Sequence, residues 1–135
     1  MIVADTNLIG YLYLNSPRSA QAEQVYRKDP LWAAPLLWRS ELRNVLALYL
    51  RKNLLSLEAA HQIMLAAMQL VRSREYEVNS WQVLNLAASS PCSAYDCEFV
   101  ALAQDLQVPL VTGDRQILAH FPQVVISIQQ YCDLA

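Results

Sequence analysis

Short apolar runs alternate with helical segments along this chain, and this alternation is the feature that most restricts its fold. Three such runs are Ile2–Ala4, Val108–Thr112 and Val124–Ile126. Each is too short for a helix, and segments with helical periodicity separate one run from the next. Strands that alternate with helices usually pair in parallel, because each helix returns the chain to the same edge of the sheet. The sequence therefore predicts an α/β/α sandwich with a mainly parallel central sheet.

The remaining segments fill in this layout. We expect weaker strands over 31–34 and 76–78, and helices over 5–13, 17–28, 36–52, 56–74, 80–88, 93–107 and 114–120. The two longest helical patterns are joined by a brief turn and predict an αα-hairpin. Ser80 is the predicted cap of its helix, and Ser93 with Asp96 has the form of a capping box. Without repeats or linkers, residues 1–135 are expected to form one domain.

The composition excludes several classes of protein. A net charge of -2 rules out a wholly basic surface, so any contact with nucleic acid must be local. Cys92, Cys97 and Cys132 lack a metal-binding spacing and are expected to be reduced thiols. No run approaches the ~20 apolar residues of a membrane span, and the N-terminus lacks the pattern of a signal peptide. We therefore expect a cytoplasmic protein with no membrane partner.

Two acids directly follow predicted strands. Asp5 comes after the first strand, and Asp114 comes after the strand that ends at Thr112. In open parallel sheets the ligand site lies beyond the carboxyl ends of the strands, which places both carboxylates at the functional edge. Each acid also fits as an ordinary helix cap or turn residue.

Two further acids point inward from helices. At about 100° per residue, Glu41 falls within the apolar arc of its helix. The opposite side carries the polar residues Arg39, Ser40, Arg43, Asn44 and Arg51. Asp96 similarly lies among apolar residues, whereas Glu98 faces the other way. Glu41 could instead pair with Lys52 or an arginine, and Asp96 could simply complete the capping box.

Four carboxylates that converge on one point repel each other strongly. Two unit charges ~4 Å apart cost about 4 kcal/mol at an effective dielectric of 20. A divalent cation removes this cost, and ligation by carboxylates alone suits Mg²⁺ or Mn²⁺ better than zinc. Such an ion can orient a phosphodiester and activate water. The residues alone therefore predict a metal-dependent site for phosphoryl transfer.

At these residues the chain resembles the PIN-domain ribonucleases, most closely the VapC-type toxins of prokaryotic toxin–antitoxin pairs. The resemblance is carried by IVADTNLI, WRSELRNVL and SAYDCEFVALAQDLQVPLVTGDRQIL, in this order. It implies a PIN-like fold and an Mg²⁺- or Mn²⁺-dependent hydrolysis of RNA that leaves a 5′-phosphate and a 3′-hydroxyl. The implied catalytic residues and metal ligands are Asp5, Glu41, Asp96 and Asp114. Thr6 and Thr112 are the implied hydroxyl neighbours that orient carboxylates or metal-bound water.

The same resemblance implies two protein partners. Members of the family form homodimers and are inhibited by an antitoxin whose C-terminal segment covers the active-site groove. Hydrophobic residues make up 55% of the chain, which is high for a soluble domain and fits such interfaces. The residues expected there are Trp32, Trp38, Tyr49 and the segment 59–71, although core packing accounts for any one of them equally well.

The chain departs from the family pattern next to Asp96, where Cys97 and Glu98 replace small or apolar residues. If the helical phase differs from the one assigned above, Glu98 becomes a fifth acid at the site. Arg115 is the best candidate for a phosphate contact, because it adjoins Asp114. The stripe of arginines opposite Glu41 is expected to be a solvated face.

The main alternative is a non-catalytic PIN-like module that binds RNA or protein. The presence of all four acids argues against it, because a module that only binds has no need to bury them. A phosphoacceptor receiver domain has a similar layout, but it requires an acidic pair after the first strand, where Asp5 stands alone. The sequence contains neither a glycine-rich phosphate loop nor a nucleophile elbow.

Overall fold

The apolar runs form the five strands of one sheet in a computed structural model that describes residues 1–135. The strands are β1 (Ile2–Ala4), β2 (Trp32–Pro35), β3 (Glu75–Tyr76), β4 (Leu110–Thr112) and β5 (Val125–Ser127). Their order across the sheet is β3-β2-β1-β4-β5, and every pair of neighbouring strands is parallel.

The first strand occupies the middle of this sheet. Val3 pairs with Ala33 of β2 on one side and with Leu110 of β4 on the other. All three residues of β1 are at most 1% exposed, because helices cover both faces of the sheet. A strand buried on both faces has no polar positions to alternate with apolar ones, which explains its continuous apolar run.

Eight helices flank the sheet. They are α1 (Thr6–Tyr13), α2 (Ser19–Lys28), α3 (Trp38–Arg51), α4 (Leu57–Leu70), α5 (Ser80–Ala88), α6 (Ala94–Leu106), α7 (Arg115–His120) and α8 (Ile128–Asp133). Helix α6 packs against β1, β2 and β4, and α3 packs against α4 as the expected αα-hairpin. The predicted α/β/α sandwich with a parallel sheet is confirmed. None of the helices combines the length and the apolar character needed to cross a membrane.

Several helix ends differ from the prediction. Helix α4 ends at Leu70 rather than Arg74, because Ser73 has a φ of 68° and turns the chain into β3. The cap of α5 is Asn79 rather than Ser80, since the Asn79 side chain accepts a hydrogen bond from the Gln82 N–H at 3.0 Å. Helix α2 begins at Ser19, two residues after the predicted start.

Helix α8 was not predicted. It begins with a capping box in which the Ser127 hydroxyl accepts from the Gln130 N–H at 3.0 Å, and the Gln130 side chain accepts from the Ser127 N–H at 3.2 Å. The S-x-x-Q spacing of these two residues was the available sequence signal.

Two tryptophans that were expected at an interface belong to the core. Trp32 and Trp38 are both 0% exposed. Their indole N–H groups are satisfied internally, by the Asp29 carbonyl and by Glu75 Oε2 respectively, each at 2.8 Å. A buried indole with a satisfied N–H contributes to the stability of the chain itself and is not available to a partner.

The beginning of α3 is tied to β3 by an ion pair. Arg39 Nε lies 2.6 Å from Glu75 Oε2, and Arg39 Nη2 lies 2.6 Å from Glu75 Oε1. Arg39 is therefore not part of a solvated stripe, as the helical phase had indicated. Because Glu41 is only two residues further along α3, this bidentate pair also fixes the start of the helix that carries it.

We expect Glu75→Ala to lower the free energy of unfolding by about 2 kcal/mol, because it removes a charge-assisted pair and leaves the Trp38 N–H without an acceptor. Urea unfolding monitored by circular dichroism measures this loss. Glu77→Ala is the matched control, since Glu77 is exposed and forms no ion pair. Equal losses in the two variants would contradict the anchoring role of Glu75.

Candidate active site

The strand order creates a crevice between β1 and β4. From β1 the chain proceeds outward to β2 and β3 on one side, and then to β4 and β5 on the other. At such a switch point the connections leave the sheet in opposite directions and open a crevice at its carboxyl edge. Asp5 follows β1, and Asp114 lies two residues beyond β4. The sheet therefore places these two predicted site residues on either side of the crevice.

Helices α3 and α6 bring the other two acids to the same place. All four carboxylates line one cavity of about 230 Å³. Its lining residues are Asp5, Thr6, Asn7, Glu41, Asn44, Val45, Asp96, Phe99, Asp114 and Ile117. The predicted convergence of the acids is thus present, while their roles as ligands and catalysts remain predictions.

The two acids that follow strands also cap helices. Asp5 Oδ1 accepts from the Leu8 N–H at 2.8 Å at the beginning of α1. Asp114 Oδ1 accepts from the N–H groups of Gln116 and Ile117, at 2.9 and 3.0 Å, at the beginning of α7. Capping and facing the cavity are therefore compatible, because a capping carboxylate keeps lone pairs that point away from the helix.

Two threonine hydroxyls hold carboxylates in position. Thr112 Oγ1 donates to Asp5 Oδ2 and accepts from the Asp114 N–H, so it links the ends of β1 and β4. Thr6 Oγ1 donates to Glu41 Oε1 at 2.7 Å and joins α1 to α3. Both threonines are buried, as expected for hydroxyls that orient other side chains.

No cationic side chain neutralises these acids. The ion pairs of the chain are Met1–Asp29, Glu23–Arg27 and Arg39–Glu75. Glu41 therefore pairs neither with Lys52 nor with an arginine, the alternative left open by the sequence. The Asp96 backbone N–H donates a hydrogen bond to Ser93 Oγ at 3.1 Å, and the Asp96 side chain lines the cavity.

Burial and mutual repulsion raise the pKa of Asp5, Glu41 and Asp96 and make these three acids harder to ionise. Burial raises the pKa of Asp5 to about 6, despite hydrogen bonds from Thr112 and Leu8, and the charges of Asp114 and Glu41 add to the rise. Burial likewise raises the pKa of Glu41, with a further contribution from Asp96. The pKa of Asp96 is raised by burial and by the charge of Asp114. The cavity therefore concentrates negative charge that the protein does not balance.

The carboxylates share a cavity without forming a finished ligand set. No group of three or more acid, histidine or cysteine side chains is close enough to hold one metal ion. Glu41 Oε1 is turned toward Thr6 and Asp114 Oδ1 toward its helix, while Glu41 Oε2 and Asp114 Oδ2 accept no hydrogen bond from the protein. Binding of one ion by three of these residues requires their side chains to turn toward each other.

Sequence reasoning missed two asparagines in the cavity wall. Asn44 was placed on the arginine side of α3, yet it lines the cavity. Its separation of three residues from Glu41 was the available signal, since residues three apart are neighbours on a helix. Asn7 lies two residues after Asp5. These two amides are the only lining side chains with N–H donors, because no lysine, arginine or histidine lines the cavity.

Two residues singled out in the sequence lie beside the cavity rather than in its wall. Arg115 is exposed at the first position of α7. Glu98 is half-buried in a neighbouring cavity of about 450 Å³, together with Leu36 and Val83. The negative charge of Glu98 contributes to the raised pKa of Glu41, so Glu98 affects the acidic cavity without lining it.

An open parallel sheet with four acids at its switch point defines a class of α/β domain with an acidic site at the carboxyl edge. The sequence pattern of the PIN domain matches residues 2–123. Ribonuclease VapC3 of Pyrobaculum aerophilum is 30% identical over 129 residues, which cover 92% of this chain and 97% of that protein. The chain belongs to the PIN domain family.

Solved structures show the same fold. The crystal structure of PAE2754 from Pyrobaculum aerophilum superposes with a TM-score of 0.77 at 20% identity and covers 97% of this chain and 92% of that one. A toxin–antitoxin complex from Klebsiella pneumoniae gives a TM-score of 0.70 at 19% identity, covering 95% and 98%. The crystal structure of FitAcB from Neisseria gonorrhoeae gives a TM-score of 0.72 at 18% identity and covers 96% of this chain and 99% of that one. At these identities the similarity is one of fold.

The raised pKa of Asp5 predicts a pH-dependent difference between the wild type and Asp5→Asn. With a pKa of about 6 in the folded state against 3.8 for the free group, Asp5 holds its proton more tightly when folded. Its contribution to stability is present below about pH 4 and is lost as the pH rises through 6. The stability of the wild type relative to Asp5→Asn should therefore fall over this range, by up to about 1.4 kcal/mol per pH unit.

Urea unfolding in metal-free buffer at pH 4, 5, 6 and 7 measures this difference. Asp105→Asn, on the exposed side of α6, is the control, and its free energy of unfolding should differ from that of the wild type by the same amount at every pH. A constant difference between the wild type and Asp5→Asn at all four pH values would show that the Asp5 carboxyl is not perturbed.

Proposed function

We propose that this protein is a metal-dependent endoribonuclease that hydrolyses RNA phosphodiester bonds, and that it is the toxin of a type II toxin–antitoxin pair. One observation carries the proposal: four carboxylates line one cavity at the switch point of the sheet, and no cationic side chain pairs with any of them. The similarity of this chain to a protein named ribonuclease VapC3, over nearly the full length of both chains, supports RNA as the substrate.

The chemistry of the donor set fits Mg²⁺ or Mn²⁺. The cavity offers carboxylate and amide oxygens, and neither a cysteine nor a histidine lines it. Oxygen donors of this kind favour hard divalent ions over zinc. Asp5, Glu41, Asp96 and Asp114 would hold the ion. When bound, it lowers the pKa of water and offsets the charge that develops on the phosphate.

The residues of the chain supply positioning and proton transfer. The Thr6 and Thr112 hydroxyls restrict the rotation of Glu41 and Asp5. The amides of Asn7 and Asn44 line the cavity and would donate hydrogen bonds to phosphate oxygens. Glu41 Oε2 accepts no hydrogen bond from the protein, so this oxygen is available to accept a proton from the attacking water.

Two protein partners belong to this proposal. The antitoxin is supported by a structural neighbour that is a toxin–antitoxin complex. A homodimer is supported by apolar side chains that no part of the chain covers. Trp81 and Leu84, three residues apart on α5, are 78% and 62% exposed, and Leu36, which lines one cavity with Leu84, is 45% exposed. These residues replace Trp32 and Trp38 as the apolar surface available to a second chain.

A non-catalytic PIN-like module that binds RNA or protein is the second candidate. One observation favours it: the acids are not arranged as a ready ligand set for a metal ion. The two candidates differ in their response to divalent ions, which the following measurement determines.

Millimolar Mg²⁺ or Mn²⁺ should raise the melting temperature of the wild type by about 5 °C at tenfold excess over the dissociation constant. Asp96→Asn should respond less than half as strongly, because it loses one negative ligand. Asp105→Asn lies on the same helix, away from the cavity, and should respond like the wild type. If neither ion shifts the wild type, the non-catalytic module is the better description.

Asp96→Asn should abolish RNA cleavage while its far-ultraviolet circular dichroism spectrum matches that of the wild type. Asp105→Asn should cleave RNA like the wild type, and EDTA should stop cleavage by both of these proteins. Products with a 5′-phosphate and a 3′-hydroxyl are expected from attack by water. Cyclic 2′,3′-phosphate ends would overturn the proposed mechanism, since they require the 2′-hydroxyl as nucleophile.

A further inference from the structure

The acidic cavity has no cation of its own to receive a polyanion. RNA carries one negative charge per nucleotide, so its binding relies on lysine or arginine near the site. Of the ten such residues in the chain, four have partners within the protein: Arg27, Lys28, Arg39 and Arg74. The six that remain are Arg18, Arg43, Arg51, Lys52, Arg72 and Arg115.

Among these six, Arg18 is the one whose guanidinium is stacked on an aromatic ring. Its central carbon lies 5.9 Å from the centre of the Tyr11 ring, within the range of a cation–π contact. On another side the guanidinium lies against the backbone of Gly113. A Cβ at position 113 would be 2.2 Å from Arg18 Nη1, so a larger residue there would displace the guanidinium from this position.

This position adjoins the acidic cavity. Gly113 lies between Thr112, whose hydroxyl donates to Asp5, and Asp114, which lines the cavity. The Arg18 guanidinium nevertheless forms no ion pair with either acid and no hydrogen bond within the protein. All five of its N–H donors are therefore free, and their planar arrangement matches two oxygens of a phosphate.

From this arrangement we propose that Arg18 binds a backbone phosphate of the RNA at the rim of the acidic cavity. The proposal rests on the proposed ribonuclease function and adds to it a binding residue outside the cavity. Tyr11 and Gly113 hold the guanidinium in place before the substrate arrives, which lowers the entropy lost on binding. Arg115, the phosphate contact expected from the sequence, stacks on no aromatic ring and forms no ion pair within the protein.

Arg18→Gln tests this assignment against Arg27→Gln as a matched control. Arg27 lies on α2, the helix that Arg18 directly precedes; it is exposed and pairs only with Glu23. The probe is a pool of random single-stranded RNA oligonucleotides labelled at one end, cleaved with Mn²⁺ at several KCl concentrations. Each variant gives kcat/KM and the slope of log(kcat/KM) against log[KCl].

Arg18→Gln should lower kcat/KM about tenfold and make the salt slope shallower by about one unit, as expected for the loss of one phosphate contact. Arg18→Lys should restore much of the slope, because the charge is retained. Arg27→Gln should behave like the wild type in both respects. A purely structural role for Arg18 would lower kcat/KM without changing the slope, and that result would overturn the proposal.

The failure of the two proposals can be told apart. If the wild type cleaves the pool and Arg18→Gln has the same kcat/KM and slope, the assignment of Arg18 is wrong and the ribonuclease function stands. If the wild type cleaves none of the pool and its melting temperature does not respond to Mn²⁺, the ribonuclease function fails, and the assignment of Arg18 fails with it.

Discussion

The parallel pairing of β1 with β4 is the constraint on which the candidate site depends. Because β1 lies at the centre and the chain leaves it in both directions, a crevice opens between the ends of these two strands. The Thr112 hydroxyl connects the strand ends by donating to Asp5 and accepting from the Asp114 N–H. The other acids reach the same point because α6 packs on β1 and β4, and α3 packs on α1, the helix that follows β1. A change in strand order would separate all of them.

The site combines structural and chemical duties in the same side chains. Asp5 and Asp114 stabilise helices as caps and also contribute charge to the cavity. Their negative charges are favourable at the N-termini of α1 and α7 but repel each other, and burial adds to the cost of ionising Asp5. A protein selected only for stability would pair or replace such acids. Unpaired acids of this kind, which lower stability, usually occur at functional sites.

Most of the fold follows from local pattern, and the differences have identifiable physical causes. The apolar runs of β1 and β4 were predictable because a strand covered on both faces has no polar positions. Helix α8 was overlooked since its only signal is the capping box of Ser127 and Gln130. Arg39 looked solvated by helical phase, but its partner Glu75 comes from a strand 36 residues away, a contact that no local pattern contains. Asn44 was misplaced because the cavity wall includes a wider arc of α3 than the apolar residues alone define.

The sequence by itself determined the alternation of strands and helices, the inward direction of Glu41 and Asp96, and the absence of a wholly basic surface. These properties depend on periodicity and composition, which are local or additive. The tertiary structure decided which groups meet: the threonine hydroxyls on Asp5 and Glu41, the asparagine amides in the cavity wall, and Arg18 between Tyr11 and Gly113. Such meetings depend on distances of a few ångströms between segments far apart in the chain, and only the packing of the helices on the sheet sets those distances.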